Sequence, residues 1–136
     1  MNYKLEKRSL NIPGQLEVSY DFKYDVLLFK LKNREYKRSV EFQNFVADID
    51  EEGYVTGAQI FDASKAFNID KYLLRNVHHA HFKAHAENNV ITIILNFNII
   101  LRNRIIPLLS REKSFTQQFI ASTTNLKDSS VESAVA

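Results

Sequence analysis

Six apolar residues, Ile91, Ile93, Leu95, Phe97, Ile99 and Leu101, recur at every second position of "VITIILNFNIIL". A helix would scatter such a set around its circumference, whereas a strand puts every second side chain on one face. The chain must therefore build a long strand with one buried face and a further layer to bury it against. The residues just before obey the same rule. In "VHHAHFKAHAE", Ala80, Phe82, Ala84 and Ala86 share one face, and His79, His81, Lys83 and His85 share the other. Asn88-Asn89 joins the two runs, and Asn tolerates the left-handed backbone of a two-residue hairpin turn. Counting back from a Glu87–Val90 pair sets His85 opposite Thr92, Phe82 opposite Leu95, His81 opposite Asn96 and His79 opposite Asn98. Apolar then meets apolar and polar meets polar, so the register is self-consistent.

Earlier in the chain, Leu16, Val18 and Tyr20 alternate with Glu17 and Ser19, and Leu27, Phe29 and Leu31 alternate with Leu28 and Lys30. These are two short strands around a turn from Asp21 to Asp25. "SVEFQNFVADI" reads as a strand with a bulge near Gln43-Asn44, and "YVTGAQIF" as another strand. "DASKAFNIDKYLLRNV" carries the helical signal: Asp62 suits an N-cap, and Ala66, Ile69, Leu73 and Val77 recur at helical spacing. A helix over about Ala63–Arg75 is predicted, with Asn68 a second start point. After the meander, Pro107 in "IIPLL" confines that run to a sheet edge. The expected fold is α+β: a mostly antiparallel sheet of about six to seven strands with one helix packed on one face. Residues 1–13 read as a polar N-terminal segment, residues 14–110 as a single α+β domain with a β meander over 77–110, and residues 111–136 as a mobile polar tail.

Composition narrows the function classes. At 136 residues with 45% hydrophobic, the chain suits one packed domain, and 10 Phe and 6 Tyr beside no Trp favour a β-rich core. A net charge of +2 supplies no strong field, so nucleic acid is not an expected partner. Arg102 and Arg104 interrupt the most apolar window, which argues against a membrane span. The absence of cysteine excludes thiolate metal sites and disulfides and fits a cytoplasmic setting.

Two stretches invite a functional reading. In "DIDEEGYVTGAQ", Asp48, Asp50 and Glu52 take the first, third and fifth places of a calcium loop, with Gly53 at the bend. Gln59 stands where a bidentate carboxylate is required, and the flanks alternate like strands. A hairpin turn needs less and is favoured. The other stretch holds every histidine of the chain, in "HHAHFKAH". Histidines two apart on a strand can share one Zn²⁺, so His79, His81 and His85 form a candidate metal site, although Lys83 between them repels a cation. The blander reading makes His79, His81, Lys83, Asn96 and Asn98 a polar interaction face. No paired nucleophile and base is visible, so no catalytic residue and no cofactor is expected.

"YDFKYDVLLFKL" (Tyr20 to Leu31) and "DIDEEGYVTGAQIFDAS" (Asp48 to Ser64) resemble the prokaryotic domain-of-unknown-function family 2283, with the stretch after Val77 similar to an extension of archaeal-type members. Tyr20, Asp21, Asp25, Leu27, Phe29 and Leu31 fit its first block; Asp48, Asp50, Gly53, Val55, Gly57, Ile60, Asp62, Ala63 and Ser64 fit its second. Gln59 replaces the usual acid. The resemblance covers about residues 18–67 and implies a small β-rich domain closed by a helix after "DAS", with no activity to carry over. The expected function is a non-enzymatic protein-interaction or self-associating module with a homo-oligomeric or small protein partner. Its alternative is a metal-binding module using the histidines or the acidic loop.

Overall fold

The computed structural model describes residues 8–100 and 112–136. Ten strands appear among them: β1 (Arg8–Asn11), β2 (Leu16–Asp21), β3 (Val26–Leu31), β4 (Tyr36–Glu41), β5 (Phe45–Asp50), β6 (Val55–Ile60), β7 (Val77–Glu87), β8 (Val90–Ile100), β9 (Glu112–Ser122) and β10 (Ser129–Ala134). They form two five-stranded sheets, in the orders β2-β3-β6-β5-β4 and β1-β10-β7-β8-β9. One apolar core joins the sheets, because alternate residues of each point into it. Phe29 and Phe45 of the first sheet meet Phe97 and Phe119 of the second, with ring centroids 6.4 Å and 5.5 Å apart.

This arrangement overturns the α+β expectation. Among the described residues helix occurs only as α1 (Ala63–Ala66) and α2 (Lys71–Leu74), and neither forms a layer. The predicted helix over Ala63–Arg75 fails at Asn68, whose φ of 53° cannot continue a right-handed helix. Asp62 is itself left-handed and makes no side-chain cap; Asp70 caps α2 instead, accepting from the Tyr72 N–H at 2.8 Å. The apolar spacing that suggested one helix is met by a non-helical path, and Ala66, Ile69 and Leu73 still pack on the core.

The 77–100 hairpin follows its expected register from Glu87–Val90 back to His81–Asn96. Asn88 and Asn89 have φ of 52° and 64°, the two left-handed residues of a type I′ turn. The Gln43-Asn44 break is not a bulge but a reversal: Phe42 N–H donates to Phe45 O at 2.8 Å and joins β4 to β5. Residues read as polar ends are also strands. β10 pairs with β7 and, in parallel, with β1, while β9 lies along β8 for its whole length. The β9–β10 connection crosses the tip of the 77–100 hairpin and is fastened there. Thr123 N–H donates to Asn89 O at 2.7 Å, and Asn88 N–H donates to Asp128 Oδ1 at 3.0 Å. The Pro107 edge-strand expectation falls outside the described residues. No described helix is long and apolar enough to cross a membrane.

Candidate functional site

The two family-like blocks, far apart in sequence, converge on Asp25. This residue ends the β2–β3 turn in a left-handed conformation (φ 57°) and is only 8% exposed. Tyr20 Oη donates to Asp25 Oδ1 at 2.6 Å, and Ser64 Oγ donates to Oδ2 at 2.6 Å. The Ser64 N–H adds a bond at 3.1 Å, and the Asp25 carbonyl accepts from Ala63 N–H at 3.0 Å. Burial pushes the Asp25 carboxyl upward, but the Ser64 and Tyr20 bonds and the Lys71 charge outweigh it and hold the group below its usual range. Burial, with the hydrogen bond and charge of Asp25 added to it, pushes the Tyr20 phenol up. These bonds join the β2–β3 turn to the start of α1.

Beside that joint, the outer face of the first sheet is hollowed. A depression of about 710 Å³ is lined by Ser19, Asp21, Tyr24, Val26, Leu28, Gln59, Phe61 and Asp62. Val26 and Leu28 supply an apolar floor. Tyr24 (67% exposed) and Phe61 (40% exposed) are open to solvent, with Lys23 Nζ 5.2 Å from the Tyr24 ring centroid, and Asp21 and Asp62 mark the edge. Sequence reasoning missed this hollow. Its signal was present in two apolar residues, Val26 and Leu28, on the strand face that should meet solvent.

The acidic loop is a hairpin turn between β5 and β6, with no helix on either side. Asp50 Oδ1 accepts from the N–H groups of Glu52 and Tyr54 at 2.9 and 3.0 Å, and Oδ2 from Arg34 at 3.2 Å. Arg34 also reaches Glu52 at 3.0 Å, while Arg8 lies 4.3 Å over the Tyr54 ring and donates to the Glu52 carbonyl. Arg34 thus supplies positive charge beside Asp50 and Glu52, while Arg8 holds the turn's backbone and the Tyr54 ring. Asp48 accepts from Ser39 at 2.7 Å and from Gln59 at 3.4 Å, so Gln59 serves as a donor within the sheet.

The His78 and His79 rings lie 5.8 Å apart, while His81 and His85 have separate partners. A bulge between His78 and His81 places His78, not His79, opposite Asn98. His79 is left-handed (φ 48°) and lines a cleft of about 480 Å³ with Leu16, Lys30 and Lys32. His81 Nε2 lies 2.9 Å from Glu132 Oε1, and His85 Nε2 lies 2.9 Å from Glu87 Oε2. Each ring therefore has its own carboxylate. Among the described residues, no three His, Cys, Asp or Glu side chains are grouped so as to hold a metal ion. Asn96 donates to Thr116 and Ser114 to Asn98, both at 2.6 Å, so Asn96 and Asn98 do lie in ordered polar rows.

The fold and its Asp25 joint define a small two-sheet β protein whose distinctive polar residues bind one another. Residues 17–64 match the model of a protein family of unknown function, DUF2283. An uncharacterized protein of Methanocaldococcus jannaschii is 31% identical over 121 residues, spanning 86% of this chain and 97% of the relative. The chain belongs to the DUF2283 family. A Methanosarcina mazei protein named putative hypoxanthine phosphoribosyltransferase is 28% identical over 87 residues, spanning 64% of this chain and 71% of the relative. No solved structure matches.

Proposed function

We propose that this protein is a non-enzymatic interaction module that holds an apolar segment of a protein partner in the hollow beside Asp25. The observation that carries this reading is the exposed pair Tyr24 and Phe61 over the Val26–Leu28 floor. Concave apolar surface left open on a soluble domain marks a contact site more often than an accident of packing. Asp21 and Asp62 at its edge favour a partner segment that carries Lys or Arg beside its apolar residues. The activity in the Methanosarcina relative's name is not carried over. Gly14, Gly53 and Gly57 are isolated, and the four-residue α1 and α2 are too short to cradle a pyrophosphate.

Selection of a random peptide library on the immobilised protein tests this. Enrichment of apolar, basic peptides that is lost in Tyr24→Ser/Phe61→Ser, at an unchanged urea midpoint, supports the hollow. Enrichment that survives the double substitution overturns it, as does no enrichment at all. The polar face with His81, Lys83, Asn96 and Asn98 is the second reading, a contact surface of different chemistry. Its Asn96–Thr116 and Asn98–Ser114 bonds already fix side chains that docking would otherwise have to order. Peptide binding abolished by Asn96→Lys but not by the Tyr24/Phe61 change would move the site there.

A further inference from the structure

We infer that β9 is a self-association edge, which pairs antiparallel with the β9 of a second copy and makes one continuous sheet through both molecules. The inference deepens the interaction reading but uses the other sheet, and its experiment separates the two.

Edge strands expose unpaired backbone groups, and soluble proteins blunt them with short length, charge, proline or bulges. Among the described residues the two sheets have four edges, and three of them are blunted. β1 has four residues, β4 carries Lys37, Arg38 and Glu41 together with a bulge, and β2 has six residues with Glu17 and Asp21. β9 runs for 11 residues, "EKSFTQQFIAS", and pairs with β8 without a register shift. It contains no proline, and its charged residues are the first two. On its outer side it meets no strand among the described residues.

The hydrogen-bond phase of that edge follows from the hairpin. A two-residue turn makes Glu87–Val90 a hydrogen-bonded pair, and such pairs alternate along an antiparallel ladder. Val90, Thr92 and Ile94 therefore face β7, while Ile91, Ile93, Leu95 and Phe97 face β9 through Ala121, Phe119, Gln117 and Phe115. The bond from Thr123 N–H to Asn89 O agrees with this phase. Ser114, Thr116, Gln118 and Ile120 are left directing their N–H and C=O groups outward.

A two-fold pairing centred on Gln117 uses those groups. It sets Thr116 opposite Gln118 of the second copy and Ser114 opposite Ile120, so each hydrogen-bonded pair joins two outward-directed residues. On the core face, half-buried Phe115 meets Phe119 of the other copy, extending the aromatic row that already links Phe97 with Phe115 at 5.7 Å. No charge meets a like charge, and the 61% exposed Ile120 gains a cross-strand neighbour.

Sedimentation equilibrium of the full chain from low to high micromolar concentration tests this, with two double variants that share one change. Thr116→Lys/Gln118→Lys places Lys against Lys twice across the proposed axis; Thr116→Lys/Gln118→Glu places Lys against Glu twice. The wild type is expected to be a dimer, the Lys/Lys variant at least tenfold weaker with native circular dichroism, and the Lys/Glu variant a dimer again. A wild type that stays monomeric, a Lys/Lys variant that dimerises as well as wild type, or a Lys/Glu variant that does not recover overturns the inference. Should the Lys/Lys variant not fold, Gln118→Pro replaces it. That change removes an outward N–H and leaves the β8 ladder intact, so dimer loss supports the edge and a persistent dimer overturns it. Tyr24→Ser/Phe61→Ser lies on the other sheet and should leave dimerisation unchanged, so failure of one reading is not failure of the other.

Discussion

Ser64 donates its hydroxyl to the Asp25 carboxylate at 2.6 Å across 39 residues of chain, and so turns two separate sequence blocks into one joint. The left-handed backbone at Asp25 is the reason the contact needs this residue type. Asp adopts that conformation more readily than most residues and brings the acceptor with it. Asp25→Asn keeps the backbone preference but discards the charge and turns one acceptor into a donor among donors. It should cost about 1.5–3 kcal/mol, and Asp25→Ala, which adds backbone strain, about 3–4 kcal/mol. Urea denaturation measures both. Equal costs for Asn and Ala would show that the carboxylate itself contributes everything and the backbone nothing.

The joint also makes stability depend on pH. Asp25 is held below its unfolded value, so its contribution is complete above about pH 4 and is lost as pH falls through the lower folded value. The wild-type advantage over Asp25→Asn should therefore be level near neutrality and shrink below about pH 4. At the alkaline end, Tyr20 is held up by burial and by Asp25, so it favours the fold below about pH 10, and this is lost as pH rises through its higher folded value. An ultraviolet titration should show a late phase of tyrosine ionisation that vanishes in Tyr20→Phe.

Gly57 and Gln59 test the acidic hairpin. A Cβ on Gly57 would lie 3.0 Å from the Phe29 carbonyl and 3.1 Å from Asp48 Oδ2, so Gly57→Ala should cost about 1–3 kcal/mol by overpacking. Gln59→Glu completes the calcium-loop pattern on paper, yet in the sheet it replaces a donor to Asp48 with a second carboxylate. Its melting temperature should fall and should not respond to calcium. A melting point restored by calcium would reinstate the loop as a metal site.

What the sequence disclosed follows from which forces were local. The face of Ile91 to Ile99 and the Asn88-Asn89 turn were legible because alternation and left-handed Asn act within a few residues. The bulge that re-aims His79 was not, since nothing in "VHHAHF" distinguishes the phase slip from a regular strand. Helical spacing at Ala66, Ile69 and Leu73 misled because burial selects apolar positions whatever path the chain takes between them. β9 and β10 were hidden by polar composition. Phe115, Phe119 and Val131 point inward at the right period, but Thr, Gln and Ser on the alternate positions made the stretch look solvated. The hollow and the Asp25 joint depend on contacts between distant residues. Only the pairing of the two blocks could have hinted at them.

Asn88 gives the cleanest measure of turn chemistry alone. It is exposed at the tip of the 77–100 hairpin with φ of 52°, and its N–H donates to Asp128. Asn88→Gly keeps that N–H and removes the steric cost of the left-handed backbone, so it should change stability by no more than about 0.5 kcal/mol. Asn88→Val keeps the same N–H but places a β-branched side chain where the backbone must be left-handed, which should cost about 1–2 kcal/mol. Neither change alters the core, so the difference between the two urea midpoints isolates the conformational term. Equal midpoints would mean that the Thr123 and Asp128 fastenings, not the turn residues, hold the hairpin closed.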